Sequence, residues 1–457
     1  MRHMFKHLLV VAVALVVMPG VSGRLGAQTR PNIVLIVADD LGYGDLGSYG
    51  APDIKTPNLD RLAREGVRFT DFYANAPVCT PTRAGLMSGR YQQRVRLERP
   101  IETNAATPAT GLDIGLPATG RSLPQLLKNA GYDTGLVGKW HLGFKPEFQP
   151  NRHGFDYFWG YLAGYVDWYA HVRGDGQPDL WENGTAVQHQ GYLDHELTKR
   201  AVTFIGDHAS HPFFLEVSYG APHWPFQSPH RASTAVIRNG SMLQVPADEN
   251  PPSRADYVAM VEDMDASIGR ILDTLAARGL AGNTLVVFTS DNGGEWLSRN
   301  APFFHRKDTV WEGGIRVPAI VRWPTVVPAG RTLSQVAVTM DLSATFVAAA
   351  GGDAAGAGFE GINLLPILRA AGSPVERTLF WRVGPAPAQA RAVRSGNWKL
   401  LVEGPKQLLF DVARDPGERD ELTARHPHHV RRLKALLDAW EKDVDAEAGK
   451  AARPPGA

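Results

Sequence analysis

Five short stretches of this chain carry side chains that could hold a cation beside an anion. They are Asp39-Asp40, Cys79-Thr80-Pro81-Thr82-Arg83, Lys139-Trp140-His141, His223 and Asp291-Asn292. Three carboxylates and one amide oxygen are hard ligands, suited to Ca²⁺ or Mg²⁺ rather than to zinc. One Asp-Asp pair is common in a solvated loop. Two such pairs, each closing an apolar run, are more specific, because crowded carboxylates repel and a cation relieves them. Cys79 is the single cysteine of 457 residues, so it cannot form an internal disulfide. Most lone cysteines are small buried hydrophobes. Here Thr80 can cap a helix and Pro81 suits its first position. Position 79 would then face free N–H groups and a positive dipole end, which favour a thiolate or a bound oxyanion.

Apolar runs of strand length deliver these groups. Residues 33–38 end at Asp39, 134–137 at Gly138-Lys139, 213–219 just before His223, and 285–290 at Asp291. The first and last runs are nearly continuous in apolar residues, as in strands covered on both faces. Helical segments alternate with them: 56–65 behind Thr56-Pro57, 123–130 behind Ser122, 192–206 and 254–280. In the last, Tyr257, Met260, Val261, Met264, Ile268, Ile271 and Leu272 form one stripe, read as core. Alternation predicts a doubly wound α/β fold, a mostly parallel sheet with helices on both faces. Ligands of such sheets bind beyond the carboxyl ends of the strands. Parallel strands would therefore bring all four strand-end groups to one edge.

Cys79-Thr80-Pro81-Thr82-Arg83, followed by Met87-Ser88-Gly89-Arg90, resembles the type I sulfatase signature. So do the opening 31–45, Thr56-Pro57-Asn58-Leu59-Asp60, Gly138-Lys139-Trp140-His141-Leu142-Gly143, His153-Gly154-Phe155-Asp156, Ser290-Asp291-Asn292-Gly293 and the run 311–318, in the family's order. The resemblance implies an alkaline-phosphatase-like fold and hydrolysis of sulfate monoesters, aryl or on a sugar. It implies that Cys79 is oxidised to formylglycine by a formylglycine-generating enzyme. Asp39, Asp40, Asp291 and Asn292 would bind Ca²⁺ (Mg²⁺ is the lesser choice), with the modified Cys79 facing it. Arg83 would hold the formylglycine hydrate, Lys139 and His141 the hydrate and sulfate, and His223 and Lys307 the sulfate near the leaving oxygen. A geminal diol makes sense of the modification: one hydroxyl attacks sulfur, and the second, losing its proton towards His141, releases sulfate. His223 or Lys307 would protonate the leaving group. Many members have Gly-Gly-Lys where this chain has His305-Arg306-Lys307, and serine where it has Thr82. Tyr43, Asp45 and Glu312 are expected to fix loops around the metal, and His153 to be structural.

Residues 1–27 read as an export signal: Arg2 and Lys6, an apolar run 8–18, then Leu25-Gly26-Ala27. This predicts an exported protein, periplasmic or secreted, with no membrane span after cleavage. Removing Arg2, Lys6 and Arg24 takes the formal charge from +1 to −2. Such near-balance argues against nucleic-acid binding. Residues 28–375 are expected to form the catalytic domain. Residues 376–457 should form a smaller unit: short antiparallel strands, a helix over 422–444 and a disordered tail. Trp168, Tyr169, His171, Arg173 and Trp181, with the segment 96–120, are candidates for contacting a sulfated glycan, against ordinary loop packing. The layout resembles arylsulfatase and N-acetylgalactosamine-6-sulfatase relatives. Two other readings stay open: a phosphoryl or phosphonate ester hydrolase on the same scaffold, and a non-catalytic glycan binder with unmodified Cys79.

Overall fold

The computed structural model describes residues 30–102, 112–229, 236–238, 241–243, 252–370, 372–385 and 388–451. The expected export segment lies outside them. The main sheet contains β1 (Asn32–Ala38), β2 (Val67–Phe69), β3 (Asp133–Lys139), β4 (Tyr157–Tyr161), β5 (Trp181–Glu182), β6 (Thr185–Ala186), β7 (Phe213–Ser218), β8 (Thr284–Ser290), β9 (Ala319–Arg322) and β10 (Arg331–Leu333). Their order is β10-β2-β9-β8-β1-β7-β3-β4-β5-β6. From β8 to β4 all neighbours are parallel. Antiparallel β9 and β5 flank this block. The four apolar runs of the sequence are four of its five parallel strands, so their carboxyl ends share one edge.

Alternation along β1 shows why both faces are covered. Val34, Ile36 and Ala38 pack with helices α1 (Pro57–Arg64), α4 (Leu193–Asp207) and α5 (Arg254–Ala277). Ile33, Leu35 and Val37 pack with α2 (Cys79–Ser88), α3 (Leu123–Asn129), α7 (Thr339–Ala349) and α8 (Leu365–Leu368). Side chains of successive strand residues point to opposite faces, so a strand between two helical layers must be apolar throughout. The α5 stripe is buried as expected. This is the alkaline-phosphatase-like, doubly wound arrangement.

A second sheet, β11 (Thr378–Val383), β12 (Ala390–Ser395), β13 (Trp398–Glu403) and β14 (Lys406–Asp411), is antiparallel throughout. Helix α9 (Pro427–Ala451) covers it. The helix outruns the expected end at 444. Its last turns are held by ion pairs, Arg382 to Asp445 and Arg90 and Arg94 to Glu447, and only 452–457 lie beyond the described residues. The short helix α6 (Glu312–Ile315) ties this sheet to the main one. Glu312 pairs with Lys399 on β13 at 2.9 Å and with Arg316 at 2.9 Å, and accepts from Tyr73 at 2.6 Å. Burial opposes its charge, but Lys399, Arg316 and Arg394 bring its pKa down to about 2. Glu312 thus anchors α6 to the second sheet, and the α6 backbone in turn bonds the loop after β8, Gly293 N–H donating to Gly314 O at 2.9 Å.

Glu216 on β7 is buried on the face packed by α2, and its Oε2 has no hydrogen-bond partner among the described residues. Burial pushes its pKa up to about 7, only partly offset by Arg83. The folded pKa lies above the unfolded one, so Glu216 favours folding at low pH and this stability is lost as pH rises from 4.5 to 7. Glu216→Gln should therefore raise stability at pH 8, by up to about 3 kcal/mol, and change little at pH 4.5. Thermal melts across pH check this; an equal shift at both pH values would contradict it.

Candidate active site

Asp39 and Asp40 follow β1, Lys139 closes β3 and His141 follows it, and Asp291 and Asn292 follow β8. Cys79 is the first residue of α2, with Val78 as N-cap. The helix thus begins two residues earlier than Thr80-Pro81 suggested. Pro81 still loses no hydrogen bond, because the first N–H groups of a helix have no intrahelical partner. Thr80 caps nothing: its hydroxyl donates to the His141 carbonyl at 2.9 Å and accepts from Ile101 N–H at 3.2 Å.

The site is a lattice of opposite charges, all buried. Arg83 reaches Asp291 Oδ2 through Nη2 at 2.8 Å and Nε at 3.0 Å, and donates to Ser218 Oγ at 2.5 Å. Lys139 Nζ lies 2.5 Å from Asp39 Oδ2, and Lys307 Nζ 2.7 Å from Asp40 Oδ2. Asn292 Nδ2 donates to Asp40 Oδ1 at 2.6 Å. Cys79 Sγ sits 3.4 Å from Asp39 Oδ1. Every expected site residue is thereby brought together, Lys307 included despite its His-Arg flank. Ser218 and Glu295, 3.6 Å from Lys307, are additions. Their signal in the sequence was only position: one ends the strand before His223, the other follows Asn292-Gly-Gly.

Burial and neighbours set the charges. Burial opposes ionisation of Asp291, yet Arg83, Lys139 and Lys307 together hold its pKa well below the usual range. Against the same burial, Lys307 and His223 lower that of Asp40. Asp39 is left worst off: burial and then Asp291 push it up to about 7. The Cys79 thiol is also pushed well up, by burial and then by Asp291 and Asp39. The expected thiolate is therefore not favoured there, because two nearby carboxylates outweigh the helix end.

The histidines are neutral, and their tautomers follow from carbonyl partners, which only accept. His141 Nε2–H donates to Ile101 O at 3.0 Å, which leaves Nδ1 as an acceptor with no partner among the described residues. Burial and then Lys139 lower its pKa well below the usual value. His223 Nδ1–H donates to Trp224 O, and Nε2 accepts from Lys307 Nζ at 3.1 Å. Burial and then Lys307 lower its pKa to about 4. Asp40 (φ 63°) and His141 (φ 57°) adopt left-handed backbone, uncommon for residues with a side chain, and such strain gathers at functional sites. Gly164 lets His141 fit: a Cβ there would lie 2.6 Å from its Cε1.

The residues present suit a divalent cation. One ligand atom each from Asp39, Asp40, Cys79 and His223 lies within 4.8 Å of the others. Asn292 Oδ1 is buried beside them with no partner among the described residues, and the set is rich in carboxylate oxygen. His223 joins this group, which the sequence did not suggest.

Tyr43 and Asp45 brace the loop after β1. Asp45 accepts from Tyr257 at 2.7 Å and pairs with Arg254 at 2.7 Å; Tyr43 donates to Thr70 O at 3.3 Å. His153 packs on Trp140. Of the candidate sugar contacts on 161–181, Trp168 and His171 are buried, bonded to the carbonyls of Pro225 and Gly191. Trp181 and Tyr169, which bond Asp179 and Ser228, and Arg173, which pairs with Asp175, stay partly exposed. Tyr165 does reach the site, stacked on His223 at 5.8 Å.

The Sulfatase family model matches residues 31–352. N-acetylgalactosamine-6-sulfatase of Sus scrofa is 34% identical over 91% of this chain and 86% of its own length. Arylsulfatase A of Bos taurus is 33% identical over 87% and 84%. The crystal structure of Ps i-CgsB superimposes with a TM-score of 0.80 and 30% identity over 90% of this chain and 93% of that one. This chain belongs to the sulfatase family and is a sulfuric ester hydrolase.

Thr80 links the helix of Cys79 to both the His141 backbone and the carbonyl-bearing residue that orients its ring. Thr80→Val should cost about 1–3 kcal/mol in urea unfolding, for two lost hydrogen bonds, and lower kcat. Unchanged stability and turnover would show that the bridge is dispensable.

Proposed function

We propose that this enzyme hydrolyses sulfate monoesters on sugars, and aryl sulfates as simple surrogates, using residue 79 as formylglycine and a bound Ca²⁺. The position of Cys79 carries the reading: it begins a helix, 3.4 Å from Asp39, inside a lattice of three carboxylates and three cations. Its thiol is disfavoured as a thiolate, so the residue gains from being another chemical group. Formylglycine, as its hydrate, offers a hydroxyl nucleophile and a second hydroxyl whose loss of a proton releases sulfate. Asp39, Asp40, Asp291 and Asn292, facing residue 79, would hold the cation, which offsets charge on the sulfate oxygens.

The remaining roles follow from the proton positions. Arg83 and Lys139 fix residue 79 and the sulfate. His141 Nδ1, bare and buried, accepts the proton that leaves residue 79. Lys307 carries a proton that neutral His223 lacks, so Lys307 protonates the leaving oxygen and His223 orients it. Residues 1–27 would direct export to a periplasmic or secreted location, where a formylglycine-generating enzyme acts on the chain. Residues 28–375 form the catalytic domain, and 376–457 a smaller domain packed on it. The relatives named for a sulfated amino sugar support a glycan substrate, as does a Ps i-CgsB crystal in complex with k-i-k-neocarrahexaose.

Peptide mass spectrometry of the protein expressed with its maturation enzyme should find formylglycine at 79. Unmodified Cys79 in protein that still turns over sulfate esters would overturn the mechanism, and preference for an aryl phosphate over an aryl sulfate would overturn the reaction. Lys307→Ala should depress turnover of a sugar sulfate at least about tenfold more than that of 4-nitrophenyl sulfate, whose leaving group needs no proton. His223→Ala should show a weaker bias. Equal losses on both substrates would remove Lys307 from the acid role.

A further inference from the structure

A cleft of about 980 Å³ opens beside the site. Its inner end is built from neighbours of site residues: Val78 before Cys79, Ile101 on the His141 ring, and Asp308 after Lys307. It runs between the segment 96–102 and the far sheet, whose Val383, Pro385 and Ala388 supply an apolar wall. That volume is at the upper end for small-ligand pockets and exceeds what one sulfated ring needs.

The charges along it are ordered. Glu98 and Asp445 are both bound by Arg382, each with an oxygen at 2.8 Å. At the inner end stand Glu102 and Asp308. The inner pair suits sugar hydroxyls and disfavours a second anion there, whereas Glu98 and Asp445 are already offset by Arg382. Arg96 and Arg99, by contrast, are exposed in the cleft lining and form no ion pair with any of the described residues. Their guanidinium groups are free to bind sulfate or carboxylate through paired N–H donors.

We propose that this cleft is a subsite for an anionic oligosaccharide: the ring beside the scissile sulfate is neutral, and a second sulfate or carboxylate, on a ring further along, binds Arg96 and Arg99. The proposal rests on the sulfatase reading above and names its substrate class.

The test compares kcat/KM for 4-nitrophenyl sulfate, for an oligosaccharide with one terminal sulfate, and for the same oligosaccharide with a second sulfate on another ring. The wild-type enzyme should favour the doubly sulfated chain about tenfold over the singly sulfated one. Arg96→Ala with Arg99→Ala should remove that preference through KM, about the loss of one charge-assisted hydrogen bond, and added salt should erode it. Both arginines are exposed, so the variant should fold. Equal wild-type rates on the two oligosaccharides, or a preference that survives the double substitution, would overturn the subsite. Failure on all three sulfates would instead overturn the sulfatase reading.

Discussion

Three carboxylates from two neighbouring strand ends are buried within reach of one another, and the rest of the site follows from keeping them there. Taking charge out of water costs several kcal/mol per ion, and it is tolerated only with close, well-oriented counter-charge. Arg83 arrives on α2 against Asp291, Lys139 on β3 against Asp39, and Lys307 on the loop before α6 against Asp40. Each cation comes from a different part of the chain. The lattice therefore exists only when β1, β3, β8 and α2 are in register. Even so, Asp39 remains poorly compensated, so the cluster could take the charge of a further cation.

The same lattice explains the scaffold. A strand whose end must hold a fixed carboxylate cannot slide, and the parallel ladder of β1 with β7 and β8 pins it on both sides. Gly138, with φ 122°, allows β3 to pass its neighbour, since a Cβ there would lie 2.0 Å from Ser218 O. Helix α2 is held against the sheet edge by Arg83 on one side and by Thr80 on another. The far sheet is locked to this layer by a second buried ion cluster around Glu312 and Lys399.

Much of this was legible before any coordinates. The four apolar runs, their polar ends and the alternating helices gave the parallel block and the edge on which the site lies. The motif around Cys79 pointed to the family and its class of reaction. What failed did so for identifiable reasons. Trp168 and His171 are of the types that contact sugars, but both are buried and bonded to the carbonyls of Pro225 and Gly191. Thr80 has the composition of a cap, yet its hydroxyl has better partners across the site. Glu312 binds Lys399, a partner 87 residues further on that no local pattern announces.

The sequence by itself determined the elements and the kinds of groups at their ends. Periodicity and propensity are local, and an apolar run between two helical layers can be little other than a covered parallel strand. Tertiary structure alone decided the charge states and the free valences. That Asp39 resists ionisation, that His141 keeps Nδ1 as an acceptor, that His223 accepts from Lys307, and that Arg96 and Arg99 form no ion pair among the described residues all depend on distances between residues far apart in the chain. Electrostatic and hydrogen-bond energies change steeply with such distances and with burial, and neither is written in the order of residues.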